Sequence, residues 1–260
     1  MSTSCYREFL PSTPDPYIAC FWSQTIAPGA GDFLQRVLPD GCVDIIWING
    51  VAARVVGPAT RPFVERLSGG TRVTGIRFRP GAAAAVLKVD ATELRNLQTE
   101  LAAVVGSRVA RQFDPASLER LEQAMRTYLA TRPAVDPIAA ALVSAIDARL
   151  DGPVRGLVAR IGLSERQVRR RFRQAVGYGL KPFQRIARLR RLREWAAASG
   201  RRSRSLSALA YDLGYADQAH LTREITALAG MPPGRFIRIA PTIQMVSDDR
   251  NLQDGHAIAR

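Results

Sequence analysis

Between residues 157 and 236 the apolar and polar positions follow a helical period, and the pattern is written twice. Leu157 opens one copy and Leu209 the other, with Gly162 and Gly214 at the same offset in each. After one extra residue in the second turn, landmarks recur at a spacing of 53: Val168 with Leu221, Arg170 with Arg223, Phe172 with Ile225, Gly177 with Gly230, and Phe183 with Phe236. Each copy predicts two helices joined by a tight glycine turn. Ser164 and Asp217 are suited to cap the second helix of each copy, because a short side-chain oxygen can accept a free N–H of the first turn. At about 100° per residue, Val168, Phe172 and Ala175 share one face of the first such helix, while Arg166, Arg170 and Arg173 share the other. In the second copy Leu221, Ile225 and Leu228 oppose Ala219, Arg223 and Thr226. This is the layout of a helix-turn-helix, whose second helix enters the major groove. Two ordinary helical hairpins with solvated arginines would be the plainer reading. The in-register repetition, with a basic outer face in both copies, favours DNA.

Ahead of this module the pattern changes to short alternating runs. About six strands are expected, at Tyr6–Pro11, Phe33–Leu38, Cys42–Ile48, Val51–Val56, Phe63–Leu67 and Arg72–Arg79, with Pro39-Asp40-Gly41 as a turn and Tyr17–Gln24 as a further aromatic, apolar segment. Ala82–Leu87 and Val89–Leu94 read as helices, the second capped by Asp90. A further helix, from Asp114 to Ala130, carries Leu118, Leu121, Met125 and Leu129 on one face, a stripe read as core rather than a dimer seam. The division expected is 1–110 as a regulatory or sensing domain, 111–136 as a helical linker, 137–240 as a DNA-binding domain and 241–260 as a flexible tail. The fold class is α+β: a strand-rich mixed α/β domain followed by an all-α tandem helix-turn-helix domain.

Charge sharpens the division. The 260 residues carry a net charge of +14, but residues 137–240 hold 20 Arg and Lys against 7 Asp and Glu, whereas residues 1–136 hold 15 against 13. Such an uneven excess is the footprint of a polyanion binder. No run of about 18 apolar residues occurs, so no membrane span is expected. The start Met1-Ser2-Thr3-Ser4-Cys5-Tyr6 lacks the basic and apolar regions of a signal peptide. A cytoplasmic protein with no membrane partner is the expectation. Cys5, Cys20 and Cys42 have no metal-like spacing and read as free thiols, partly core.

Here the chain resembles the AraC/XylS family of transcription regulators. The residues that carry the resemblance are Leu157 to Phe172, the run Gly214-Tyr215-Ala216-Asp217-Gln218-Ala219-His220-Leu221-Thr222-Arg223, and the ending Gly230-Met231-Pro232-Pro233-Gly234-Arg235-Phe236. It covers about residues 137–240 and implies two helix-turn-helices bridged by a long helix, here Pro182 to Ala198. The family usually has a proline three residues after the glycine that ends each copy. Pro233 follows that pattern, whereas the first copy has Leu180 there and Pro182 two residues on. The N-terminal part is similar to an uncharacterised domain that precedes the same module in bacterial regulators, on Phe21-Trp22, Leu38-Pro39-Asp40-Gly41-Cys42-Val43-Asp44 and Gly75-Ile76-Arg77-Phe78-Arg79-Pro80-Gly81. By analogy it would be the sensing or dimerising half.

These readings place Arg166, Arg169 and Arg170 on bases of one major groove, with Arg173 near phosphate, and Gln218, His220, Thr222 and Arg223 in the next groove. Arginine matches the two acceptors of guanine and glutamine suits adenine. The partners implied are double-stranded DNA, RNA polymerase, a small-molecule effector on the N-terminal domain and a second copy of the chain. Trp22, Trp47, Arg77 and Arg79 are candidates for an effector pocket, against the plainer reading of core tryptophans and surface-paired arginines. No cofactor, metal or catalytic residue is expected: the two histidines, His220 and His256, lie outside the strand-rich domain, and no nucleophile–base set or phosphate-binding glycine loop occurs. Two rival readings share the charge: a sequence-tolerant DNA-packaging protein, and a DNA-modifying enzyme, such as an alkyl-transfer repair protein, fused to the module.

Overall fold

The computed structural model describes residues 3–148, 163–198 and 204–240. Leu157, Gly162 and the 241–260 tail therefore lie outside the described residues.

The N-terminal half is built on an antiparallel sheet of six strands in the order β1-β2-β7-β4-β5-β8. These are β1 (Ser4–Phe9), β2 (Ile18–Ile26), β4 (Val43–Ile48), β5 (Arg54–Val56), β7 (Arg72–Phe78) and β8 (Gln98–Glu100). The expected strands on both sides of the Pro39-Asp40-Gly41 turn are present, but they belong to different sheets. β3 (Phe33–Val37) pairs with β6 (Phe63–Leu67) as a separate two-stranded ribbon, so the 63–67 segment does not extend the main sheet.

Period-2 alternation gives the main sheet two different faces. On one side Phe21, Val43, Ile45, Trp47, Ile76 and Phe78 pack with Val86 and Leu87 of α1 (Ala83–Leu87) and with Leu121, Met125, Tyr128 and Leu129 of α4 (Leu118–Leu129). The apolar stripe of the expected linker helix is thus part of the N-terminal core. On the other side Cys20, Trp22, Ile26 and Val73 meet Leu67 of the ribbon. Two short helices without a legible period, α2 (Leu101–Val105) and α3 (Ser107–Ala110), follow β8. The expected 89–94 helix is a 3₁₀ turn, Ala91–Leu94, whose Thr92 N–H donates to the Asp90 side chain.

The C-terminal half is helical: α5 (Pro137–Asp147), α6 (Glu165–Val176), α7 (Leu180–Ala198), α8 (Leu206–Asp212), α9 (Gln218–Ala229) and α10 (Pro233–Ile239). The bridging helix α7 begins at Leu180, two residues before the expected Pro182. Proline is accommodated in a first turn because the N–H it lacks has no intrahelical partner there. One core runs through this half, from Leu142 and Phe172 through Phe183 and Leu192 to Leu221, Ile225 and Phe236, and it includes Leu38 from the N-terminal half.

The two halves share an interface. A side chain at Gly41 would collide with Phe183 of α7, since a carbon there would lie 2.8 Å from the ring; the φ of +90° at Gly41 also favours glycine. Gly177, at the end of α6, likewise packs close to the N-terminal half, where an added carbon would lie 2.6 Å from Pro58. Arg36 of β3 donates to the carbonyl of Ala229 at the end of α9, at 3.5 Å.

Candidate nucleic-acid interface

Helices α6 and α9 are each 12 residues long and are built alike. The Ser164 hydroxyl accepts from the Gln167 N–H, and the Gln167 side chain returns a bond to the Ser164 N–H, a reciprocal capping box. Asp217 accepts from the His220 N–H at 2.6 Å. Both helices end on a glycine in the left-handed region, Gly177 at φ +94° and Gly230 at +69°. Val168, Phe172 and Ala175 of α6 are buried, as are Leu221, Ile225 and Leu228 of α9. The face opposite is exposed in both cases, and it carries Arg166, Arg170 and Arg173 on α6 and Arg223 on α9.

These four arginines have no ion-pair partner among the described residues. Their guanidinium groups are free to meet a polyanion. Arg169 is also exposed but is held by Glu165 one turn back. A surface pair of this kind is worth about 0–1 kcal/mol and yields to a better acceptor. Gln218 stands exposed at the start of α9, and Thr222 is half-buried beside it.

His220, like Thr222, is half-buried. Its ring packs edge-on against Tyr215, centroids 5.3 Å apart, and its Nε2 lies 3.8 Å from Glu224. Glu224 is 6% exposed and accepts from Arg185 and Arg188 of α7, at 3.0 Å in each case. Arg188 also lies over the Tyr215 ring at 4.8 Å, and burial pushes the Tyr215 hydroxyl well above the usual phenol range. This cluster fastens α9 to α7, and His220, its side chain 39% exposed, lies at its edge. Sequence reasoning missed Glu224, whose charge suggests a solvated position. Its spacing of three from Leu221 and four from Leu228, both on the buried face, was the available signal.

The comparisons with known proteins bear on both halves. Residues 157–239 match a family model described as a helix-turn-helix domain, and residues 7–100 match one described as a domain of unknown function. No curated protein matches the chain. The C-terminal part is an AraC/XylS-type helix-turn-helix domain. The chain that carries this AraC/XylS-type domain is a DNA-binding transcription regulator. Among solved structures, ToxT from Vibrio cholerae in a P21 crystal form is 10% identical, over 92% of this chain and 99% of that one, at a TM-score of 0.43. The C-terminal domain of AraT, a response regulator from Geobacillus stearothermophilus, is 15% identical over 47% of this chain and 98% of that one, at a TM-score of 0.35. Among the described residues no helix is long and apolar enough to cross a membrane, and no group of three or more His, Cys, Asp or Glu could hold a metal ion.

Of the four residues named for an effector pocket, the structure brings two together. Trp22 and Arg77 line a cavity of about 100 Å³ between the main sheet and the β3–β6 ribbon. Trp47 is on the opposite face of the sheet, in the core against the helices. Arg79 is at the surface and donates to the carbonyl of Asp15. Arg77 is not paired at the surface but buried, with a two-pronged bond to Asp44 at 2.8 and 2.9 Å and Asp40 at 3.7 Å. The register of β4 on β7 sets Asp44 directly across from Arg77. The three cysteines are free; Cys5 is exposed, while burial pushes the Cys20 thiol up to about 12.

Proposed function

We propose that each monomer reads two successive major grooves, α6 lying in one and α9 in the next. The observation that carries this reading is the pair of equivalent, unpartnered arginines, Arg170 and Arg223, on the outer faces of two helices with matched caps. In this reading Arg166, Arg169 and Arg170 face base edges and Arg173 meets phosphate, while Gln218, Thr222 and Arg223 address the second groove. His220 reaches the same groove with the exposed part of its ring. Residues 137–240 form the DNA-binding unit, and the N-terminal half, from residue 1 to about 110, regulates it, with RNA polymerase and a second copy of the chain as further partners.

The two helices differ at most outward positions: Arg166 corresponds to Ala219, and Arg169 to Thr222. The recognised site is therefore expected to be non-palindromic, with two unlike half-sites about 10–10.5 bp apart. Sites selected by the full chain from random DNA, followed by footprinting, test this; protection of a single groove would contradict it.

Arg170→Ala and Arg223→Ala are each expected to weaken binding to the selected site by about 1–3 kcal/mol more than binding to a scrambled duplex. Binding to both duplexes over a range of salt concentrations measures the difference. Equal losses on the two duplexes would make these arginines phosphate contacts, as a sequence-tolerant packaging protein requires.

A further inference from the structure

The cavity between the main sheet and the β3–β6 ribbon has the makings of a ligand site in the half of the chain that matches only a domain of unknown function. Its lining is mostly apolar, including Ile46, Val73 and Leu67. Into this lining projects Arg77, 8% exposed. Asp44 occupies its Nε and Nη2, but its Nη1 is buried without a hydrogen bond. The indole Nε1 of Trp22, on the same face, is likewise buried without a hydrogen bond of ordinary geometry, Asp44 being an acceptor near it. Two buried donors without well-placed acceptors are costly to maintain, and a bound acceptor relieves both.

We infer that this cavity binds a small, largely apolar molecule bearing an uncharged hydrogen-bond acceptor such as a ketone or amide carbonyl. The surrounding charges decide against an anion. Arg77 is already neutralised by Asp44 and Asp40, and Glu65 adds a third carboxylate to a lining whose other cation, among the described residues, is Arg36. A ligand carboxylate would have to lose its water and sit among these groups. A cation would leave both donors unmet. The volume of about 100 Å³ suits a single ring. This assignment rests on the regulatory reading of the N-terminal half, but its test does not pass through DNA.

The test uses three probes of matched shape: cyclohexanone, cyclohexanecarboxylate and cyclohexylammonium. Each is titrated into the full chain while the Trp22 indole and Arg77 guanidinium N–H resonances are followed by NMR. Cyclohexanone should give saturable shifts of both resonances in the millimolar range. The two charged probes should bind at least about tenfold more weakly, the loss expected for a desolvated charge without a partner. Ile46→Phe fills the cavity from the wall while leaving Arg77 and Asp44 in place. It should reduce cyclohexanone binding at least about tenfold without changing the unfolding midpoint appreciably. Absence of saturable binding, or equal binding to Ile46→Phe, overturns the site; tighter binding of the carboxylate overturns the ligand class. Neither result touches the DNA reading, which fails only on the duplex measurements.

Discussion

Exchange of Arg77 for methionine is expected to lower the unfolding free energy by about 3–5 kcal/mol at neutral pH, because it leaves Asp44 buried without its partner. The loss should depend on pH in a definite direction. In the native protein burial pushes the Asp44 carboxyl upward and Arg77 opposes it, with burial the larger influence. Without the guanidinium the folded pKa rises further above the unfolded value of about 3.9. A group shifted this way is well tolerated as the neutral acid below the unfolded pKa, and the folded state loses stability as pH rises through the folded pKa. The difference between wild type and variant should therefore be small near pH 4 and grow as the pH rises above it. Urea unfolding of both proteins across that range measures it. A second exchange, Asp44→Leu in the same background, should recover most of the loss, since two apolar groups of similar volume remove the unpaired charge. A difference that stays flat with pH, or no recovery in the double variant, would show that the penalty comes from packing around Arg77 rather than from Asp44.

The second large effect is expected at Phe172, which is fully buried between α6 and α7 and meets Phe183 edge-on with ring centroids 5.6 Å apart. Phe172→Ala should cost about 3–5 kcal/mol, combining the lost transfer of the ring with the cavity it leaves. Its DNA binding should fall on selected and scrambled duplexes alike, together with the melting temperature. Arg170→Ala, on the far side of the same helix, should change the melting temperature little while altering discrimination. If Phe172→Ala melted like wild type, the packing of α6 on the bridging helix would be wrong.

Helices α6 and α9 were legible because every signal that defines them is local. Ser164 and Asp217, the glycines at 177 and 230 and the buried faces each lie within a few residues of one another, and the 53-residue repeat reads the signals twice. The Asp44–Arg77 pair was not legible for the opposite reason. Its members are 33 residues apart and meet only through the register of β4 on β7. Without that register, an arginine in an alternating strand reads as solvent-facing. The ribbon was missed similarly: the pairing of Phe33–Val37 with Phe63–Leu67 skips two intervening strands, and turn chemistry at Pro39-Asp40-Gly41 says nothing of which sheet each flank joins. Helices α2 and α3, five and four residues long, are too short to display a period. His220 follows the cap of α9, which is why the sequence points it toward the groove. The contacts of its ring with Tyr215 and with the buried Glu224 depend on the turn before α9 and on packing against α7, and neither is written in the local sequence.

Leu38 has a consequence for how such a regulator can change over time. It leaves its own sheet to complete the core formed by α5, α6 and α7, and Gly41 beside it leaves room for Phe183. The two halves are therefore not interchangeable parts. A foreign sensor grafted ahead of residue 137 would leave an apolar socket where Leu38 sits and an uncovered ring at Phe183. A foreign DNA-binding unit would have to present a flat aromatic to the turn at Gly41. Exchange of either half must carry the 38–41 turn or its counterpart with it, so the two halves are inherited as a pair.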